Sequence, residues 1–161
     1  MKQIITSLLS AVLFSAAQAP CLARSLPYTD ADSPSEAVGM YKMTIGLSSR
    51  MKQECSKRFP ELQPRIESDI ERWRSLDAKE IEVAEQRFRE LEKMSPKLSR
   101  QFPEMVNQGY ENKLVAPFKG ADPSIERKVV RDYCQQFFSE LASGVWRQRT
   151  PKTYQYLNQP W

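Results

Sequence analysis

The pattern of apolar and charged positions between Glu61 and Met94 predicts a long helix with one buried side. Apolar residues recur there every three to five positions, at Leu62, Ile66, Ile70, Trp73, Leu76, Ile81, Ala84, Phe88 and Leu91. This spacing draws one apolar stripe along an α-helix. Asp77 lies in the widest gap and could cap a new helix, but we favour one helix with a local change of face. Partner helices must cover the stripe.

A second helix is predicted before this stretch. Ser33, Pro34 and Glu36 match a capping box, in which the serine and the glutamate satisfy free N–H groups of the first turn. The apolar face that follows contains Met40, Met43, Leu47, Met51, Cys55 and Phe59. Pro60 ends or turns this helix.

The remaining chain predicts shorter helices and then one long helix. Phe102-Pro103 interrupts the segment after Ser95, so we expect it to be helical in pieces. Asp122-Pro123 supplies an N-cap and a first-turn proline for a helix that runs to about Arg149. Its apolar face is broad and includes Cys134, so we expect this helix to be the most buried.

Together these patterns predict an all-α protein with one domain. Residues 33–150 should form a helical bundle of four or five helices. Residues 24–32 are polar, contain a proline and show no periodicity, which predicts a flexible leader. The aromatic segment 151–161 should pack on or near the bundle, because loose aromatic side chains would be exposed apolar surface.

The N-terminus is typical of a secretory signal. Lys2 precedes an apolar run from Ile4 to Ala17 that is short for a membrane span. We expect cleavage after Ala23, with the mature chain in the periplasm or secreted. A lipid anchor on Cys21 is the alternative, although proline precedes this cysteine and the leucine of a lipoprotein box is missing.

Cleavage after Ala23 would leave two cysteines, Cys55 and Cys134. An even pair in an exported chain predicts a disulfide. The bond would clamp the first helix against the last long helix. Two buried free thiols are the alternative.

Composition removes several classes of site. The chain has no histidine, which excludes Ser-His-Asp and Cys-His nucleophilic sites and imidazole metal sites. Its 24 basic and 20 acidic residues give a net charge of +4, and loss of Lys2 with the signal leaves +3. This charge is too small to predict nucleic-acid binding. We predict no catalytic residue, cofactor, metal site or transmembrane segment in the mature chain.

The remaining features favour a non-enzymatic protein that binds another macromolecule, with a protein of the cell envelope as the expected partner. A chaperone, an inhibitor, an immunity factor or an accessory subunit would fit this description. Arg, Tyr and Trp often anchor interfaces. The candidate partner-binding residues are Arg147, Arg149, Tyr154, Tyr156 and Trp161.

Two alternatives stay open. A carboxylate-dependent hydrolase of an envelope glycan could use acidic residues of the central stretch, of which Glu67, Asp69, Glu71 and Glu85 are the candidates. A small-molecule or metal carrier could use the methionines of the first predicted helix, although methionine at helical spacing more often fills a core.

Overall fold

The computed structural model describes residues 29–116, 120 and 122–160. These residues form seven α-helices and no strand. The helices are α1 (Pro34–Arg58), α2 (Gln63–Leu76), α3 (Ala78–Met94), α4 (Pro96–Tyr110), α5 (Pro123–Ala142), α6 (Val145–Arg149) and α7 (Pro151–Asn158). A 3₁₀ turn (Pro60–Leu62) and a π-helical turn (Glu111–Val115) connect them. The predicted signal peptide, Cys21, residues 24–28 of the predicted leader and Trp161 lie outside this description.

The all-α class is confirmed, but the predicted count of four or five helices is wrong. The last predicted helix is divided at Gly144, whose φ of 73° is not helical, and Pro151 then begins α7. Glycine and proline are the residues that tolerate these two positions best. At Pro103 the sequence predicts an interruption that the structure does not have, since Pro103 lies inside the continuous helix α4.

The central stretch is also divided, contrary to our preference for one helix. Asp77 lies between α2 and α3 with φ −111° and ψ 24°. Its N–H donates to the Trp73 carbonyl at 2.9 Å, and its own carbonyl accepts from Ile81 N–H at 2.9 Å. Hydrogen bonding therefore continues across the division while the two helices acquire different neighbours. Helix α2 packs mainly on α5, whereas α3 packs on α1, α4 and α7.

One core joins these helices, and α1 contacts each of α3, α4 and α7. The largest fully buried side chains include Trp73, Phe59, Phe137 and Phe138. The predicted disulfide is confirmed, since Cys55 of α1 bonds Cys134 of α5 within this core. Among the described helices, none has the length and apolar character needed to cross a membrane.

Helices α1 and α4 are in very close contact at Gly46. A Cβ at this position would lie 2.7 Å from Val106 Cγ2. About 10 Å earlier on α1, at 1.5 Å per residue, Gly39 has no atom within 4 Å of its Cβ position. The same helix therefore packs tightly at one glycine and faces open space at the other.

Candidate binding groove and its polar anchor

A groove of about 410 Å³ follows one side of α1, and we call it the α1 groove. Its lining on α1 extends from Glu36 to Leu47, which corresponds to about 16 Å. Helix α4 and the segment Val145–Asn158, which contains α6 and α7, supply further walls. The side chains that define the groove are Met40, Met43 and Leu47 of α1, Leu98, Phe102 and Met105 of α4, and Trp146, Thr150 and Tyr154 of the C-terminal segment.

The lining is predominantly apolar and adaptable. Met40, Met43 and Met105 all line it, and 45% of Met105 is exposed. Methionine is unbranched and polarizable, so it fits side chains of different shapes. Glu36 is the one charged residue among the described lining residues. A concave, mostly apolar surface with few polar groups is the usual form of a binding site.

The wall formed by the C-terminal segment is attached to a buried carboxylate. Asp77 is 1% exposed. Its Oδ2 accepts hydrogen bonds from the Tyr41 hydroxyl at 2.7 Å, the Trp73 indole N–H at 3.1 Å and the Tyr154 hydroxyl at 2.5 Å. Its Oδ1 accepts from the Arg147 guanidinium at 2.7 Å. We call these five residues the Asp77 cluster; they come from α1, α2, α6, α7 and the α2–α3 junction.

Arg147 carries the positive charge of the cluster. Its guanidinium also lies 3.2 Å from Glu80 Oε2, and it stacks 4.7 Å from the centre of the Tyr154 ring. The hydrogen bond to Asp77 raises the pKa of Arg147 above its usual value, partial burial opposes this, and the charges of Asp77 and Glu80 add to it. Glu80 in turn accepts from the Asn158 amide at 3.3 Å. One arginine therefore neutralises two buried acids of α3 and its N-terminal junction.

The two tyrosines of the cluster connect it to the groove. Tyr41 and Tyr154 both line the groove, and their rings meet edge to face at 5.6 Å. Burial raises the pKa of each phenol above its usual value of 10.0, and the neighbouring Asp77 charge raises both further. Both hydroxyls therefore stay protonated at neutral pH and act as donors to Asp77.

A second anchor holds the start of α7. Asp30 Oδ1 accepts from the Thr153 N–H at 2.8 Å, and Oδ2 accepts from the Lys152 N–H at 3.0 Å. Burial alone would raise the pKa of Asp30, but these hydrogen bonds outweigh it and leave the pKa below its usual value. Ala31 is completely buried beside this contact. Residues 29–32 of the predicted leader thus pack against α7 in the described structure.

The structure places four of the five predicted partner-binding residues, and their settings differ. Arg147 and Tyr154 come together in the Asp77 cluster. The Tyr156 hydroxyl donates to the Asp32 carbonyl at 3.3 Å, and Arg149 is an exposed residue at the end of α6. Trp161 lies outside the described residues.

Sequence reasoning missed Asp77, Glu80 and Tyr41 as a connected set. A signal is present at Asp77, an acid within an otherwise apolar and regularly spaced stripe, but in the sequence it indicates at most a possible cap in a helix that we expect to be continuous. Its side chain makes no capping hydrogen bond and turns instead to partners on other helices. Those partners are 36 to 77 positions away in the sequence, except Trp73, so local spacing could not reveal them.

None of the four candidate acids of the hydrolase alternative lines the groove. Glu85 is paired with Lys42 at 2.6 Å, Glu67 with Lys52 at 3.5 Å, and Asp69 with Arg65 at 3.8 Å. Glu71 is exposed on α2. The described residues contain no group of three or more Cys, Asp or Glu that could hold a metal ion.

No protein-family model, curated protein or solved structure matches this chain. The case for its function rests on the groove and on the residues that hold it.

Proposed function

We propose that this is an exported, non-enzymatic binding protein that holds an apolar helical segment of a protein partner in the α1 groove. The observation that carries the proposal is the groove itself, a methionine-lined and nearly uncharged surface on a disulfide-linked helical bundle. A periplasmic or secreted location follows from the predicted signal, and a role as a chaperone, inhibitor, immunity factor or accessory subunit would use such a groove. Nucleic acid is not an expected partner.

The dimensions of the groove support a helical segment. A partner helix that inserts apolar residues at positions i, i+3 or i+4 and i+7 needs about 10 Å of groove. The α1 lining provides about 16 Å. Because Glu36 is the one charge in the described lining, the bound face should be uncharged, or basic at the end that meets Glu36.

The position of the methionines also supports binding. Met51 fills the core, as methionine at helical spacing usually does. Met40 and Met43 instead face the groove together with Met105 of α4. Methionines gathered on an accessible apolar surface are typical of proteins that bind varied apolar segments.

A small-molecule carrier is the second candidate. The groove volume of about 410 Å³ lies within the range of small-molecule sites, which is roughly 300 to 1,000 Å³. The three thioethers are also soft ligands of the kind that copper(I) accepts. The hydrolase alternative has less support, since its candidate acids lie outside the groove.

The test uses photo-crosslinking from two positions of the mature, oxidised protein in its own cell envelope. A crosslinking residue replaces Met105 at the groove rim, and a matched control replaces Ile125, which is 60% exposed on α5 and does not line the groove. We expect one protein adduct from position 105 and none from position 125. Met105→Glu should weaken partner binding about tenfold or more by placing a charge in the apolar contact, whereas Ile125→Glu should not.

Other results would reject the proposal or favour its alternative. Equal adducts from both positions, or partner binding that survives Met105→Glu, would rule out the groove as the site. Recovery of a small apolar molecule or copper with the native protein, without a protein adduct, would favour the carrier.

Export has a separate test. The protein recovered from the envelope should begin at Arg24 and be lighter by two hydrogens before reduction, as its mass will show. A chain that retains Met1, or that carries a lipid on Cys21, would contradict cleavage after Ala23.

A further inference from the structure

We propose that the segment Val145–Asn158 is a movable latch that opens as a unit to admit the partner into the α1 groove, and that Arg147 holds the latch closed. The inference rests on the proposed binding function, because it assigns the regulation of the same groove. Three features of the segment support the latch: its place in the groove, its hinge and the kind of contacts that hold it.

The segment is a wall of the groove. Trp146, Thr150, Thr153 and Tyr154 all line it. Movement of the segment away from α1 would therefore widen the groove without any change in α1 or α4.

The segment begins at a residue suited to a hinge. Gly144 has a φ of 73° and separates α5 from α6. Helix α5 before it is fixed to α1 by the disulfide, and it contributes Phe137, Phe138 and Leu141 to the core. Motion that starts at Gly144 would leave this rigid part in place.

The contacts that hold the segment combine apolar packing with several polar bonds, and the apolar part includes Trp146 and Tyr156, which are partly buried against the core. Helix α6 has no buried residue, and the buried apolar side chains of α7 are Tyr154 and Leu157. The segment also makes polar bonds. Arg147 and Tyr154 donate to Asp77, and the Lys152 and Thr153 N–H groups donate to Asp30. Arg87 donates to the Tyr156 carbonyl at 3.1 Å. Hydrogen bonds and ion pairs need a specific geometry, so they break when the segment moves away, whereas apolar side chains can slide past one another and stay in contact.

Arg147 is the residue that favours two discrete states. Its side chain is 41% exposed, so it can leave for water at small cost, but Asp77 and Glu80 are buried and lose their counter-charge when it does. If the segment opened only partly, the carboxylates of Asp77 and Glu80 would have neither water nor a counter-charge beside them. The stable arrangements are therefore a closed segment and one that opens far enough to hydrate both acids.

Hydrogen exchange and dye binding on the oxidised full chain test the latch. Arg147→Met removes the guanidinium and keeps an apolar stem. The matched control is Arg131→Met, which removes an arginine of similar exposure, 44%, from its surface pair with Glu61. In Arg147→Met we expect amides 145–158 to exchange at least about tenfold faster, with α1–α5 unchanged. We also expect faster association of ANS, an anionic dye whose aromatic rings bind exposed apolar surface. Arg131→Met should change neither.

Tyr154→Phe is a second variant in case Arg147→Met does not fold. It deletes one hydrogen bond to Asp77 and keeps the ring, so a smaller increase confined to the same amides is expected. Faster exchange throughout the chain in both variants, or unchanged exchange in 145–158, would overturn the latch. Exchange as expected with no dye binding in any variant would support the movement and reject the groove as an apolar site.

Discussion

Asp77 shows how one side chain can determine the arrangement of several helices. Its carboxylate accepts four hydrogen bonds from α1, α2, α6 and α7, and it lies at the point where α2 gives way to α3. A buried carboxylate without partners would be very unfavourable, so these helices must come together around it. The residue thereby links the division of the central stretch to the position of the C-terminal segment.

Replacement of Asp77 should therefore be costly. Asp77→Asn places an amide N–H₂ where either Arg147 or the three other donors need an acceptor, and we expect a loss of about 3 kcal/mol in the free energy of unfolding. Urea denaturation measures it through a lower midpoint at unchanged slope. Glu71→Gln, on the exposed face of α2, is the control and should lie within about 0.5 kcal/mol of the wild type. A wild-type midpoint for Asp77→Asn would contradict the role of the cluster.

The tyrosines predict how stability depends on alkaline pH. Burial raises the pKa of Tyr41, Tyr154 and Tyr133 above 10.0. As the pH rises through 10, the unfolded chain releases these protons while the folded chain keeps them, so stability must fall there and be fully present below about pH 9. Urea midpoints between pH 8 and 11 should decrease, with a shallower decrease in a Tyr41→Phe, Tyr154→Phe double variant. A flat profile would show that the phenols ionise equally in both states.

At the scale of single residues, the sequence draws attention to Arg147 and Tyr154, and their role in partner binding stays a prediction. Arg147 and Tyr154 were selected because their residue types often anchor interfaces, and the structure finds both in an internal cluster. Their partner Asp77 is 70 and 77 positions away. A contact of that range depends on the packed fold and leaves no local pattern to detect.

At the scale of elements, helix starts were predictable because capping is local. Glu36 N–H donates to Ser33 Oγ at 3.3 Å, and Ser124 N–H donates to Asp122 Oδ1 at 2.8 Å, as the sequence predicts for the starts of α1 and α5. The sequence raises a division at Asp77 but favours one helix there, and it does not predict the division at Gly144. Both depend on which neighbours each half packs against, and the apolar stripe alone does not contain that information.

The contact between α1 and α4 gives a prediction with an internal control. Gly46→Ala would bring a Cβ to 2.7 Å from the stiff Val106 side chain and should destabilise the protein by about 1–3 kcal/mol. Gly39→Ala adds the same methyl group to the same helix in open space and should stabilise it by about 0.5–1 kcal/mol. Thermal denaturation compares the two. Equal shifts of the same sign would mean that helix propensity, and not the close approach of the helices, decides the outcome.

For the whole molecule, the disulfide should be a major source of stability. Cys55 and Cys134 are 79 positions apart, and a loop of this length corresponds to about 4–5 kcal/mol in the chain-entropy description. A Cys55→Ala, Cys134→Ala variant should lose about 3–5 kcal/mol, and reduction of the wild type should have a similar effect in the same urea titration. The variant should show no further loss on reduction. Wild-type stability in the variant would mean that the core alone holds α1 against α5.

The same bond decides what a protease can remove. The chain between Cys55 and Cys134 is a closed covalent ring. One cut inside it, for example at the exposed Glu111, opens the ring but leaves both pieces joined, with α1 still fastened to α5. A cut at Gly144 lies outside the ring and severs the covalent link to the wall of the groove that carries Trp146 and Tyr154. A single cut at Glu111 would therefore keep the walls of the groove covalently connected, whereas a single cut at Gly144 would release one of them from the covalent chain.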